Sequence, residues 1–111
     1  MNTTITFEDF QKLDIRIGTI VSVSEPEGSE KILRLEVDLG EEIGKRIVFA
    51  GIKKFYKPEE LLNRQIVVLV NLASRKFFGE DSGGMLLAAD EEGKPTLLIL
   101  EKNVTKGSKV R

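Results

Sequence analysis

Three residue types are missing from this chain of 111 residues, which has no cysteine, no histidine and no tryptophan. Without cysteine there is no disulfide, no thiolate zinc site, no cysteine nucleophile and no cysteine-ligated iron–sulfur cluster. Without histidine there is no Ser-His-Asp triad and no imidazole metal site. Metal binding is left to carboxylates and carbonyls, and no spacing resembles a calcium loop, so neither metal nor cofactor is expected. Long apolar runs are lacking too. The longest, Ile66-Val67-Val68-Leu69-Val70, falls far short of the roughly 20 residues that span a bilayer. Met1 to Asp9 lacks the basic stretch followed by an apolar one that marks a signal peptide. The expectation is a cytoplasmic protein without membrane contact.

What is present suffices for a core. The chain is 41% hydrophobic and 32% charged, which lacks the signature of disorder, and its length predicts one domain over residues 1–111. The net charge of −1 hides a segregation: residues 1–42 sum to −6, residues 43–79 to +6 and residues 80–111 to −1. The cationic middle comes from Lys45, Arg46, Lys53, Lys54, Lys57, Arg64, Arg75 and Lys76. A cationic middle in an acidic chain fits a footprint for a polyanion. The alternative, which charge counting alone favours, is that these bases pair with acids from the other thirds across the folded surface.

The hydrophobic pattern is that of short strands. Leu13, Ile15, Ile17, Val21 and Val23 alternate with polar or small residues, Ile20 being the exception. That period of two predicts a half-buried strand over 13–23. Gly18 in its middle predicts a bulge or sharp bend. Residues 31–39 alternate again, with Leu33, Leu35, Val37 and Leu39 inward. A turn is expected at 40–44, then strands at 46–52, 65–70, 84–89 and 96–100. Residues 91–95 form a hairpin loop. Pro58 in a first turn, followed by Glu59 and Glu60, predicts a short helix. Thr6 can cap another helix running to Lys12. The predicted fold is all-β: a five-stranded OB-fold barrel, a short helix before strand four, and short N- and C-terminal extensions.

Enzyme chemistry finds no support. Asp81-Ser82-Gly83-Gly84 looks like the nucleophile segment of chymotrypsin-type proteases, but its serine has no histidine to take a proton. The glycines read instead as a tight turn with Ser82 bonding loop backbone. The carboxylate pairs Glu41-Glu42, Glu59-Glu60 and Glu91-Glu92 all fall at turns or a helix start, where solvation explains them.

Several segments taken together resemble the tRNA-binding domain family, which includes the C-terminal appendix of bacterial methionyl-tRNA synthetases, free-standing tRNA-binding proteins and the cytokine-like appendices of eukaryotic synthetase complexes. The likeness runs through Asp9-Phe10-Gln11-Lys12-Leu13-Asp14-Ile15-Arg16-Ile17-Gly18, then Lys31 to Gly40, Arg46 to Ile52 and Tyr56 to Leu61. It is clearest at Val70-Asn71-Leu72-Ala73-Ser74-Arg75-Lys76-Phe77-Phe78-Gly79 and at Ser82-Gly83-Gly84-Met85-Leu86-Leu87-Ala88-Ala89. Residues 107–111 fit the family's ending. The resemblance implies an OB-fold, binding of tRNA by its structure rather than its sequence, and a homodimer. The chain departs from the family pattern at residues 25–30, which are acidic, at Ala73 and Ser74, which replace a common Lys-Pro, and at Gly83, which replaces a frequent Gln. Together the departures remove positive charge or add negative charge near the expected site.

On this resemblance Arg75 and Lys76 are the leading RNA contacts, since Arg forks onto phosphate or stacks on a base and Lys acts as a point charge. Ser82 is a candidate for a ribose or phosphate oxygen. Met85 is a candidate for packing on a base, with barrel packing as its alternative. Lys31, Arg34, Arg46, Lys53 and Lys54 extend the expected basic surface. Of Phe77 and Phe78, one is expected in the core and the other toward RNA, and Asn71 is expected to bond backbone. Phe7, Phe10, Leu97 and Ile99, with the rest of 97–111, are candidates for the dimer interface, the alternative being a cap on the barrel within one subunit. The function expected is non-catalytic tRNA binding, free-standing or in trans with an aminoacyl-tRNA synthetase. The alternatives are a peptide-binding secretion chaperone of the same fold and a purely structural dimerisation module.

Overall fold

The computed structural model describes residues 3–111. Its elements run α1 (Phe7–Gln11), β1 (Ile15–Ser24), β2 (Leu33–Asp38), α2 (Gly40–Ile43), β3 (Lys45–Ala50), α3 (Pro58–Leu61), β4 (Gln65–Leu69), β5 (Lys76–Phe77), β6 (Glu80–Asp81), β7 (Met85–Leu86), β8 (Ala88–Glu91) and β9 (Lys94–Leu97). One five-stranded antiparallel sheet has the order β3-β2-β1-β4-β7, and β5-β6 and β8-β9 are separate hairpins. The sheet curls until its edges meet. The Gly83 amide, just before β7, donates to the Ile47 carbonyl of β3 at 2.7 Å. The result is the nearly closed OB-like barrel expected from the strand pattern.

The alternation in β2 does what the sequence predicts. Leu33, Leu35, Val37 and Leu39 are fully buried, while Arg34, Glu36 and Asp38 face outward and remain half-buried. Long β1 serves two partners. Ile15 to Thr19 pair with β4, and Thr19 to Ser24 pair with β2. The register shifts between Ile20 and Ser22, which makes Val21 the extra residue of a bulge. Of the two expectations at Gly18, a bulge or a sharp bend, the bulge lies instead at Val21, which explains why Ile20 breaks the alternation yet is fully buried. Gly18 has a different task. A Cβ there would lie 2.4 Å from Val37 Cγ1 and 2.8 Å from Leu39 Cδ2, so the glycine lets β1 lie close on the core.

The short helices close the ends. Thr6 and Asp9 cap α1 reciprocally, with the Asp9 amide donating to Thr6 Oγ1 at 3.1 Å and the Thr6 amide to Asp9 Oδ2 at 3.3 Å. In α3 the Glu60 carboxylate accepts from the Lys57 amide at 2.8 Å, and Leu61 is fully buried against the core. Residues 40–44, expected as a plain turn, form the single-turn α2. The strand expected over 84–89 divides into β7 and β8. The strand expected over 96–100 is β9, which begins and ends earlier.

The C-terminal segment returns to the barrel. The Gly107 amide donates to the Ile17 carbonyl at 2.7 Å, the Ile17 amide to the Ser108 carbonyl at 2.9 Å and the Val110 amide to the Ile15 carbonyl at 2.8 Å. Arg16, 7% exposed, secures this junction. Its guanidinium meets Asp14 and Glu42, each at 2.7 Å, and donates to the Gly107 carbonyl at 3.3 Å. The Asp14 hydrogen bond first and Glu42 second raise its pKa and hold it charged. Among the expected interface residues, Leu97 is drawn into the core at 6% exposure. It is therefore an inward-facing residue of this chain and not a surface one.

Candidate nucleic-acid interface

The residues expected to touch RNA fall into two groups. The first group already has partners. Arg34, on the outer face of β2, forks onto Glu80 of β6 at 2.7 and 2.9 Å. This bond raises the Arg34 pKa and holds the Glu80 carboxyl below the usual carboxylate range. Arg46 donates to the Val70 carbonyl at 2.7 Å and to the Gly83 carbonyl at 3.1 Å. It is a clamp across the barrel seam, a correction to its expected role on the surface. Gly83 accommodates it, since a Cβ there would sit 2.9 Å from Arg46 Cδ. Lys53 donates to the Ser29 carbonyl at 2.6 Å and lies 3.8 Å from Glu25. Ser82, 9% exposed, is likewise internal. Its amide donates to the Arg75 carbonyl at 2.8 Å, and its hydroxyl accepts from the Arg75 amide at 3.3 Å.

The second group is open to solvent. Lys31, Lys54 and Arg75 are exposed, and among the described residues none of them forms an ion pair. Lys76 pairs with Asp81 at 3.1 Å, but both side chains are mostly exposed. Such a pair is worth little and exchanges readily for another anion. In the whole cationic middle of the chain, Lys53 and Lys76 are the bases with a carboxylate partner among the described residues. Cross-pairing between the thirds therefore neutralises part of that charge and leaves the rest free.

One of the open cations, Arg75, lines a concavity. A groove of about 480 Å³ lies between the end of β3, the β4–β5 connection, β7 and β9, with Phe49, Leu72, Arg75, Phe77, Met85 and Pro95 among its lining. The sequence pointed to Arg75, Ser82 and Met85 here and missed Leu72, Phe49 and Pro95. Leu72 and Met85 are 46% and 44% exposed. An apolar residue left in water beside a basic run was the available signal. In the chain Lys31 precedes the lining residue Ile32, and Lys54 follows the lining residue Ile52 by two positions.

The phenylalanines are also rearranged. Phe77 stacks on Phe49 with centroids 5.1 Å apart, and Phe78 tilts against the same ring at 6.3 Å. Neither enters the barrel core. Phe49 pairs with Arg34 in register, so the β5–β6 hairpin covers the outer face of β2 and β3. The guanidinium of Arg75 lies 5.1 Å from the Phe77 centroid. Asn71 is structural as expected: it accepts from the Asp14 amide at 2.9 Å and donates to the Lys12 carbonyl at 2.6 Å. Phe7, 68% exposed, and the half-buried Phe10 border a second recess with Leu13 and Val110, which Asn71 also lines. Ile99 is 66% exposed.

Residues 15–109 match the family model described as "Putative tRNA binding domain". The chain belongs to the tRNA-binding domain family. Over 107 residues, 96% of the chain, it is 50% identical to a methionine–tRNA ligase of Pyrococcus furiosus, of which it covers 14%. It thus spans about a seventh of that ligase's length. Among solved structures, a MetRS-related protein from Pyrococcus horikoshii superposes with a TM-score of 0.91 at 30% identity, covering 99% of this chain and all of that one. The chaperone CsaA of Bacillus anthracis superposes at 0.88 with 35% identity, covering 98% of this chain and all of that one. Both likenesses carry the OB-like fold. No helix of the described residues is long and apolar enough to cross a membrane, and among them no cluster of acids could hold a metal ion.

Proposed function

We propose that this domain, residues 1–111, is a non-catalytic tRNA-binding module that reads tRNA structure rather than sequence. The observation that carries the reading is the coincidence of family and geometry. Within a tRNA-binding domain, the open cation Arg75 lines a groove, and the exposed Lys31 and Lys54 lie one and two residues in the chain from its lining residues Ile32 and Ile52. Phosphate contacts supply affinity and need no base edges. Arg75 is the central contact, and Lys76 exchanges Asp81 for a phosphate. Arg34, Arg46, Lys53 and Ser82 hold the frame that presents them.

The domain acts free-standing or in trans with an aminoacyl-tRNA synthetase, raising the local concentration of tRNA beside the enzyme. Two copies meet through the recess in which Phe7, Phe10, Leu13 and Val110 are joined by Lys12, Asp14 and Arg111, with exposed Ile99 extending the surface. A dimer doubles the cationic rim presented to one tRNA, which offsets the chain's net charge of −1.

The test is anisotropy of a labelled bulk tRNA pool titrated against rising salt, with Arg75→Ala/Lys76→Ala beside the wild type. Binding should be micromolar or tighter, weaken steeply with salt, and lose about 1–3 kcal/mol in the double variant. Absence of binding at low salt overturns the reading. A second reading, a peptide-binding chaperone, draws on the apolar groove and on the CsaA likeness. It predicts capture of unfolded peptides with little dependence on salt.

A further inference from the structure

Holding phosphates requires cations on a surface, and the rim supplies them. Apart from Arg75, the recess is mostly apolar. Leu72, Phe77, Met85 and Pro95 line it, Arg75 is the one charged lining residue among those described, and no carboxylate faces into it. Leu72 and Met85 stay nearly half exposed in water there. A phosphate gains nothing from such a surface, whereas a planar, largely apolar group does.

One wall is already planar. Phe77 stacks on Phe49 at an interplanar angle of 27°, and the Arg75 guanidinium lies over Phe77. Ser82 bonds both the amide and the carbonyl of Arg75, which fixes the backbone from which the guanidinium reaches over Phe77. Unpaired RNA bases stack on aromatic rings and on arginine planes. The Met85 thioether adds a polarizable contact for a ring. Paired bases in an A-form stem reach such a recess only by giving up their pairing and stacking.

We infer that the groove takes an unpaired nucleobase, with its flanking phosphates on Lys31, Lys54 and Arg75. The inference rests on the tRNA reading above and narrows it: the element recognised is a loop or single strand, and stems contribute phosphates alone. An apolar peptide side chain is the other class of occupant. The open cations beside the groove and the lack of any acid within it favour the base.

Two RNAs of equal length and charge distinguish the cases: a hairpin with 2-aminopurine in its unpaired loop, and a blunt duplex with 2-aminopurine in a pair. The full chain should bind the hairpin at least tenfold more tightly and quench its fluorescence. The uncharged Leu72→Gln should abolish the quench and the preference while leaving duplex binding and the thermal midpoint unchanged. Leu72 is an exposed loop residue, and Met85→Ala gives a second probe from the opposite wall. Equal affinity for both RNAs with no quench, while tRNA still binds, overturns the base pocket and leaves the tRNA reading standing. Failure to bind any RNA overturns both. Displacement of the quenched loop by an apolar peptide at unchanged affinity in high salt reassigns the groove to peptide and also overturns the inference.

Discussion

The hairpin-covered face of β2 and β3 and the groove beside it carry the same kinds of side chain and put them to opposite uses. On the covered face Arg34 is spent on Glu80, and along the seam next to it Arg46 is spent on two carbonyls. Around the groove Lys31, Lys54 and Arg75 face water. Residue type does not separate the groups. What separates them is whether the fold brings an acid or a buried carbonyl within reach. A guanidinium that satisfies such groups cannot be withdrawn for a phosphate without leaving them unpaired. A solvated one loses only water.

That contrast is open to experiment. Its largest expected effect is at Arg46. Arg46→Ala removes charged hydrogen bonds to the Val70 and Gly83 carbonyls, and urea unfolding should show a loss of about 2 kcal/mol. Its tRNA affinity, measured on the folded variant, should change much less. If stability is unchanged and affinity collapses, Arg46 belongs with the open group.

Next in size is Lys31→Ala/Lys54→Ala. It should leave the thermal midpoint in place and reduce the slope of log affinity against log salt by roughly 2, about one for each lost phosphate contact. An unaltered slope would place both lysines outside the contact.

A smaller effect concerns acid. The hydrogen bond from Arg34 holds Glu80 below its ordinary pKa. The Gly40 amide first, then Lys106, do the same for Asp38. A carboxylate with a lowered folded pKa stabilises fully above its unfolded value, and this contribution is lost as pH falls through the folded value. Stability should therefore decline below the usual carboxylate range. Glu80→Gln should flatten part of that decline in a series of denaturation curves, and an unchanged pH profile would show that the clasp contributes nothing to stability. The effect is modest because the pair is partly exposed.

Much of the frame was legible beforehand. Leu33, Leu35, Val37 and Leu39 announced their burial through a period of two, and Thr6 and Pro58 marked helix starts. The β5–β6 hairpin was not legible, because strands of two residues have no period. Arg34 and Glu80 are 46 residues apart, so their pairing belongs to the tertiary fold and leaves no local mark. The same holds for Arg46 and for Leu97, whose partners come from distant strands. Val21 shows a subtler limit: one inserted residue shifted the alternation of β1, and Gly18 drew the bulge to the wrong position. At the site, the family pattern picked out Arg75 and Met85. The groove itself is assembled from several separated segments, and its apolar character appears only when they meet.

The most direct test of the account compares two variants in the salt dependence of tRNA binding. Arg75→Gln removes an open cation. Arg34→Gln combined with Glu80→Gln removes a spent one together with its acid, so net charge stays the same. Arg75→Gln should lower the salt slope by about one and weaken binding about tenfold, while the paired variant should match the wild type in both. A paired variant that loses as much slope and affinity as Arg75→Gln would contradict the account. It would show that the Arg34 clasp opens to bind RNA and that the distinction between spent and open cations does not define the site.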